Sequence, residues 1–217
     1  MELDQALTTT RTVRKRLDLT RPVERSVVEE CLSLALQAPN GSNRQLWRWI
    51  LIDDPDLRSK VAGIYRAGLD GYAASGVSAD KPVVADPSSP EVIRMSASVM
   101  HLRDHLEQVP VLVLPLLAGR VEDASVFFQA SMWGSVIPAV WSFMLALRAR
   151  GMGSAWTTIH LHQEAEMAEL LGIPPVYTQV GLFPVAYTIG TDFGPASRRP
   201  LGEVASWNGF GGEEAGS

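Results

Sequence analysis

The longest stretch without a charged residue constrains this chain most. From Ala124 to Leu147 the sequence reads ASVFFQASMWGSVIPAVWSFMLAL and contains no Asp, Glu, Lys or Arg. A segment of this length can cross a bilayer as a helix. It also contains Gln129, four serines and Pro138, and its flanks lack a strong Lys/Arg asymmetry. A helix that is apolar on all sides is otherwise buried in a core or a subunit interface, and we predict this buried helix.

Composition favours a single domain, predicted over residues 1–217. The chain has 217 residues, of which 46% are hydrophobic, enough for one well-formed core. Charged residues make up only 20%, which fits a protein that also buries surface against a partner. The net charge of −5 argues against a general nucleic-acid binder.

Cysteine and histidine usage predicts neither a disulfide nor a metal site. Cys31 is the only cysteine and lies in the apolar run VVEECLSLAL, so we expect a small core residue. His160 and His162 form a pair without an evident third ligand. The N-terminal sequence MELDQALTTTRTVRKR lacks the apolar region of a secretory signal. We therefore expect a cytoplasmic protein.

Hydrophobic periodicity predicts helices and strands in mixed order, which indicates an α+β domain with a central sheet. We predict helices over 3–10, Glu24–Gln37, Leu57–Tyr72 (capped by Asp56), 91–107, Ser125–Arg150 and 163–171, and strands over Trp47–Ile52, Val109–Leu117, Ser154–Thr158 and Tyr177–Ile189. Residues 73–90 are rich in Gly, Ser, Pro, Ala and Asp and are predicted to form a flexible excursion. An extended tail is expected from about residue 192.

Several familiar catalytic patterns are missing. The sequence has no strand–GxGxxG–helix unit, no GxxxxGK[ST] loop and no G-x-S-x-G. A Rossmann or P-loop nucleotide site and a serine hydrolase therefore have no support. We name no catalytic acid, base or nucleophile.

Three polar stretches remain as candidates for ligand binding. Arg11–Arg14 places two guanidinium groups and a hydroxyl close enough to hold a phosphate, although a solvated basic turn has the same composition. Pro39–Gln45 concentrates amide and hydroxyl groups after a helix, where such turns often serve only as caps. Arg198-Arg199-Pro200 lies near the C-terminus.

Four segments, in order and over most of the chain, resemble the nitroreductase family. TTRTVRKR is similar to the family's opening "RSVR", and APNGSNRQLW is similar to its "APSSxNxQPW". RARGMGSAWTTIHL resembles the "GLG-x-x-W-x-x" that follows the central helix, and ASRRPLGEV resembles the closing "R-R-x-P-L-E-E-V". The resemblance implies a mostly antiparallel sheet flanked by helices, with the long helix at an intertwined homodimer interface.

The resemblance also implies an FMN site built from both subunits. The phosphate and ribityl chain would be held by the first element and the closing arginine, namely Arg11, Thr12, Val13, Arg14 and Arg198. The basic residue matching Arg14 would also reach the flavin N1/O2 edge and stabilise the reduced, anionic flavin. The partner chain would contribute Pro39, Asn40, Ser42, Asn43 and Gln45. A backbone N–H near flavin N5 would come from Thr158, Ile159, His160 or Leu161.

The implied activity is ping-pong transfer of electrons from NADH or NADPH through FMN to a nitro compound, a quinone or a similar small acceptor. Some positions depart from the family pattern. The family's Asn-x-x-Lys before the middle strand is replaced by HLRDHLEQVP, and the lysine before the closing arginine aligns with Ala196. Contacts at the flavin pyrimidine edge and the choice of acceptor are therefore left open. The alternatives are another flavin-dependent chemistry such as dehalogenation, a flavin-sequestering protein, and a membrane or scaffold protein built on the uncharged helix.

Overall fold

The computed structural model describes residues 1–74 and 88–214. Its helices and strands follow in chain order: α1 Leu3–Thr9, α2 Arg25–Ala35, β1 Trp47–Ile52, α3 Pro55–Ala74, α4 Pro90–His105, β2 Val111–Ala118, α5 Val126–Ala149, β3 Met152–Ser154, α6 Glu164–Leu171, β4 Tyr177–Gln179, β5 Phe183–Tyr187, β6 Ser206–Trp207 and β7 Glu213–Glu214. Short 3-10 helices cover Gly41–Asn43, Leu106–Gln108, Ile159–Gln163 and Leu201–Glu203.

A central sheet organises these elements. Its strand order is β1-β2-β5-β3, with β4 also pairing with β2, and each of these pairs is antiparallel. The predicted strand Trp47–Ile52 is confirmed and pairs with β2 from Trp47↔Leu117 to Ile52↔Leu112. The α+β class with a mostly antiparallel sheet and flanking helices is confirmed.

The sheet separates two hydrophobic layers because successive side chains of a strand point to opposite faces. Val111, Val113 and Leu117 of β2 pack with α2 and α5 in one cluster, which includes the fully buried Cys31. Leu112, Leu114 and Leu116 pack on the other side with residues of α3 and α6. The strand β2 is therefore covered on both faces, which explains its nearly continuous apolar sequence.

The long apolar helix forms as predicted, but only one side of it is covered. The Ser125 hydroxyl caps α5 by accepting a hydrogen bond from the Phe128 N–H (3.3 Å). Val140 and Phe143 are fully buried, whereas Phe127 and Trp141 are 82% and 38% exposed. Within the described residues α5 is the single helix that could cross a membrane by length and composition, and half of its apolar window is buried in the chain.

The predicted strand Tyr177–Ile189 is wrong as one element, since it divides into β4 and β5. Pro115 of β2 lies opposite the division and has no N–H to donate, so the ladder is interrupted there. Its carbonyl accepts a hydrogen bond from the Val180 N–H (3.0 Å). Gly181 follows, where an added Cβ would lie 2.8 Å from Trp156 Nε1.

Three other boundaries differ from the sequence predictions. Helix α3 is capped by Asp54, whose carboxylate accepts from the Leu57 N–H (2.8 Å), and not by Asp56, because Pro55 takes the first helical position. The strand predicted over Ser154–Thr158 is misplaced, since β3 spans Met152–Ser154 and shares only Ser154 with it. Of the excursion predicted over 73–90, residues 73–74 end α3 and Pro90 begins α4, and residues 75–87 lie outside the described part.

Candidate functional site

The basic segment after α1 lies along the edge of the sheet, beside the edge strand β3. Thr12 forms a parallel bridge with Ser154, and the Val13 N–H donates to the Ser154 carbonyl (2.9 Å). Val13 is buried, and an added Cβ on Gly153 would lie 2.9 Å from its Cβ. Glycine at 153 therefore permits the close approach of the two backbones. Since the Val13 side chain belongs to the core, any ligand contact from this residue would come from its backbone.

Arg14 is the most unusual charged side chain of this segment. Its Nη1 donates to the Ser98 hydroxyl of α4 (3.3 Å), whereas its buried Nε has no hydrogen-bond partner. Burial lowers the pKa of Arg14, and the interaction with Tyr65 partly offsets that effect. Within residues 1–74 and 88–214, no carboxylate forms an ion pair with Arg14. A partly buried cation without an anion is costly, so this position suits an anionic ligand.

The Pro39–Gln45 loop is unusually strained. Ser42, Asn43 and Gln45 have φ values of 52°, 51° and 51°, in the left-handed region that non-glycine residues rarely adopt. The Asn40 side-chain oxygen holds the loop by accepting from the Gln45 N–H (2.9 Å). Strain of this kind concentrates at binding sites, where the fold over-determines the backbone.

The same loop is attached to the long helix α5. The Gly41 N–H donates to the Ser135 hydroxyl (2.9 Å), and an added Cβ on Gly41 would lie 3.1 Å from Ser131 Oγ. Ser131 and Ser135 lie one turn apart on α5, toward its incompletely covered side. The loop is therefore positioned beside the exposed face of α5.

The segment Thr158–Leu161 forms the beginning of a 3-10 helix packed on α3. Thr158 is exposed, Ile159 and Leu161 are half-buried, and His160 is completely buried. Neither ring nitrogen of His160 forms a hydrogen bond of ordinary geometry with a described residue, although the Gln179 side chain is near enough to raise its pKa. The pKa of His160 is nevertheless lowered to about 4, chiefly by burial. The His160 ring is therefore enclosed, and only its backbone could face a ligand.

The closing arginine, Arg198, lies on the C-terminal segment 189–214, which we call the arm. Arg198 is exposed and donates from Nη1 to the Ser197 carbonyl (2.9 Å). Arg11 reaches the beginning of this arm, where its Nη1 donates to the Gly194 carbonyl (3.1 Å). Arg198 lies four positions after Gly194, a span of at most about 14 Å at full extension. The structure thus brings the beginning of the arm into contact with the Arg11–Arg14 segment.

Sequence reasoning missed the residues that complete this region. Ser98 and Tyr65 approach Arg14, and Arg16 and Arg148 hold the chain near Phe193. No local pattern marks Ser98, Tyr65 or Arg16 as part of the site, because each lies far along the chain from its partner. Arg148 alone carried a signal, as a charged residue at the end of an otherwise uncharged helix.

Comparison with known families gives a match over most of the chain. The sequence model described as "Nitroreductase family" matches residues 7–187. This range contains the Arg11–Arg14 segment, the Pro39–Gln45 loop and the Thr158–Leu161 segment. The arm with Arg198 lies beyond it.

Solved structures with the same fold include flavoproteins. A structure of oxidised iodotyrosine deiodinase bound to FMN and 3-iodo-L-tyrosine has a TM-score of 0.72 at 21% identity, covering 96% of this chain and 100% of that one. A mutant form of an FMN- and NADPH-dependent nitroreductase from sphigopyxis sp. strain HMH gives 0.70 at 19% identity, covering 97% and 100%. A nitroreductase-like family protein from Bacillus cereus gives 0.66 at 20% identity, covering 94% of each chain.

Proposed function

The chain belongs to the nitroreductase family, and from this premise we propose that it is an FMN-dependent oxidoreductase acting as a homodimer. In this proposal NADH or NADPH reduces the bound FMN, and a nitro compound, a quinone or a similar small acceptor then reoxidises it. The whole chain works as one domain in the cytoplasm, where both nicotinamide donors are available.

The observation that carries the proposal is the Arg14 guanidinium, which has no acidic partner among the described residues. Its Nε is buried without a partner, and no carboxylate in the described part of the chain neutralises it. An anionic ligand would supply the missing charge and hydrogen bonds. Arg11 lies three residues before Arg14, and Arg198 follows Gly194, which Arg11 contacts. These three arginines fit the phosphate and the anionic edge of FMN.

Each part of the site has a separate task in this proposal. When bound, FMN supplies the hydride-accepting ring system. Arg11, Thr12 and Arg198 hold its phosphate and ribityl chain, and Arg14 stabilises negative charge on the reduced ring. The backbone of Val13 and the segment Thr158, Ile159, His160 and Leu161 lines the ring edge, with one N–H near N5. Pro39, Asn40, Ser42, Asn43 and Gln45 contact the flavin of the partner subunit.

Spectroscopy and steady-state kinetics test the activity itself. The purified protein should show the two absorption bands of an oxidised flavin, and these should bleach when NADH or NADPH is added without oxygen. With a quinone or nitroaromatic acceptor, initial rates should give the parallel double-reciprocal lines of a ping-pong reaction. A colourless protein that takes up no added FMN would refute the cofactor assignment.

A second candidate activity is reductive dehalogenation, which is supported by the likeness to iodotyrosine deiodinase. Supplying a halogenated phenol to the reduced protein and measuring halide release separates it from nitro or quinone reduction. A protein that binds FMN but reoxidises slowly with every acceptor would instead be a flavin-sequestering protein.

Removing Arg198 should weaken FMN binding much more than it changes folding. A charge-assisted hydrogen bond is worth about 1.5–3 kcal/mol, which corresponds to roughly a tenfold to hundredfold loss of affinity. We expect this loss in Arg198→Ala, measured by fluorescence titration of the apoprotein with FMN. Arg199→Ala removes an equal charge from the adjacent exposed position and should lose less affinity. Equal losses in both variants would indicate only a general charge effect.

The uncovered face of α5 is the proposed dimer interface. Phe127, Gly134, Ile137 and Trp141 recur there at helical spacing, and all four are exposed in the single chain. The chain should therefore have twice its monomer mass by light scattering without detergent. Ile137→Asp should dissociate the dimer and release FMN, because a buried unpaired charge is costly.

A matched control for this experiment is Val176→Asp. Val176 is an exposed apolar residue outside α5, so its replacement should preserve both the dimer and the flavin. A stable monomer that retains FMN would refute the shared-site arrangement, because the Pro39–Gln45 loop would have no partner flavin to contact.

A further inference from the structure

Three arginines, two from the segment after α1 and one from the end of α5, hold the stretch 189–194, where the C-terminal arm leaves the sheet. Arg16 donates from Nε to the Ile189 carbonyl (2.8 Å). Arg148 donates from Nη2 to the Thr191 carbonyl (3.0 Å), and Arg11 donates to the Gly194 carbonyl (3.1 Å). We call this arrangement of Arg11, Arg16 and Arg148 around residues 189–194 the arginine grip.

An aromatic side chain is held within the arginine grip. The Arg16 guanidinium carbon lies 4.1 Å from the centroid of the Phe193 ring, and that of Arg148 lies 4.8 Å from the same centroid. Cations over an aromatic face are attracted to the electron-rich ring. Arg16 also forms an ion pair with Asp192 (2.6 Å). Phe193 is thus fixed by two cations, one of which is neutralised by the neighbouring carboxylate.

Burying Arg148 has a considerable desolvation cost. Arg148 is only 5% exposed, and its Nε and Nη1 lack hydrogen-bond partners among the described residues. Burial lowers the pKa of Arg148, and the neighbouring Arg16 lowers it further. Apart from the Thr191 carbonyl and the Phe193 ring, its described polar contact is the Thr9 hydroxyl (3.3 Å). The charge of Arg148 is therefore directed mainly at the arm.

The backbone of the arm accommodates Arg16 through a glycine. Gly190 has a φ of +72°, and an added Cβ would lie 2.7 Å from Arg16 Nη2. Beyond Gly194 the arm has no described hydrogen bond to the rest of the chain, because the described hydrogen bonds of residues 195–214 join only residues of that segment. The arginine grip is therefore the last place where the rest of the chain holds the arm by hydrogen bonds.

We propose that the arginine grip fixes the beginning of the arm and thereby positions Arg198 to bind the FMN phosphate. This inference rests on the proposed function. Arg198 lies four residues beyond Gly194, so its position relative to Arg11 and Arg14 depends on where the arm begins. Arg16, Arg148 and Phe193 act through Arg198 and are positioning residues, with no contact of their own to the flavin.

A double-mutant cycle between Phe193 and Arg198 tests the arginine grip. Phe193→Leu keeps an apolar side chain and loses the ring, whereas Phe193→Tyr keeps the ring. We expect Phe193→Leu to weaken FMN binding about tenfold, the size of two ordinary cation–ring contacts, and Phe193→Tyr to restore most of it. In the Arg198→Ala background, Phe193→Leu should change FMN affinity less than about twofold, because the residue it positions is gone.

A second pair of variants keeps the test independent of any folding defect at Phe193. Arg16→Gln removes a guanidinium from the arginine grip, and the matched Arg21→Gln removes one that lies 3.4 Å from the Tyr187 ring, outside the grip. We expect weaker FMN binding in Arg16→Gln alone. Thermal unfolding of all variants, measured without FMN, separates loss of affinity from loss of fold.

The outcomes distinguish this inference from the proposed function. If the unaltered chain binds no FMN, both are refuted. If it binds FMN and Phe193→Leu has no effect, or has the same effect with and without Arg198, the arginine grip does not act through Arg198 and this inference alone is refuted. The same holds if Arg16→Gln and Arg21→Gln weaken FMN binding equally.

Discussion

Replacing Gly68 with alanine is expected to destabilise the protein by about 1–3 kcal/mol, the usual cost of forcing atoms into a packed interior. Gly68 lies in α3, where an added Cβ would overlap the carbonyl oxygen of Ile159 and lie 3.2 Å from its carbonyl carbon. Both are backbone atoms of the neighbouring 3-10 helix, so no side-chain rotation can relieve the contact. Chemical denaturation of Gly68→Ala beside the unaltered chain measures the loss of unfolding free energy.

Helix α3 provides its own controls for this prediction. An added Cβ at Gly63 or Gly71 meets no atom within 4 Å. Alanine is a better helix former than glycine by about 1 kcal/mol, so Gly63→Ala should be neutral or stabilising. If Gly68→Ala were as stable as Gly63→Ala, the close packing of α3 against residues 159–163 would be wrong.

The Gly68 substitution also bears on the proposed site. Ile159 lies in the segment proposed to line the flavin ring, and a Cβ on Gly68 would push its backbone away from α3. We expect Gly68→Ala to lose FMN affinity together with stability. A variant that was destabilised but kept full affinity would separate Ile159 from the flavin site.

Stability should fall in mild acid because His160 is buried in its neutral form. The pKa of His160 is lowered from 6.5 to about 4, mainly by burial, with Gln179 and Glu164 opposing that effect. Between these values the unfolded chain binds a proton that the folded chain does not. The free energy of unfolding is therefore highest above about pH 6.5, and it decreases as the pH falls toward 4. The total is roughly 3 kcal/mol.

Two histidine variants isolate this contribution to the pH dependence. His160→Leu removes the titrating ring and leaves no ring nitrogen unpaired in the interior. The unfolding free energy of His160→Leu should therefore depend much less on pH between 6.5 and 4.5 than that of the unaltered chain. His162 is exposed two residues later, and His162→Gln should keep the full dependence. Parallel pH profiles for His160→Leu and the unaltered chain would show that another group is responsible.

Local patterns in the sequence were sufficient for much of the fold. The alternating WRWILI forms β1 with the predicted ends, and the uncharged stretch forms α5 within one residue of its predicted limits. The helix closed by Gly172 ends as expected, with that glycine at a φ of 63°. These features depend on neighbours a few residues apart, through side-chain periodicity and the conformational freedom of glycine.

The candidate site was only partly accessible to such reasoning. The Arg11–Arg14 segment and the Pro39–Gln45 loop were predicted from residue types and from the family resemblance. The burial of the Val13 and His160 side chains was not, because both depend on packing against distant backbone. The division between β4 and β5 likewise depends on Pro115 in a neighbouring strand.

The sequence by itself determined most of the helices, the strand β1, the family and the polar segments from which we build a flavin site, because periodicity and motifs are properties of short stretches. The tertiary structure decided which face of α5 stays uncovered, that Arg14 lacks an acidic partner among the described residues, and that Arg148 is buried against the arm. The hydrogen bonds of Arg148 to Thr9 and of Arg11 to Gly194 join residues 139 and 183 positions apart. Contacts at such separations arise only when distant segments pack together, and no local pattern specifies them.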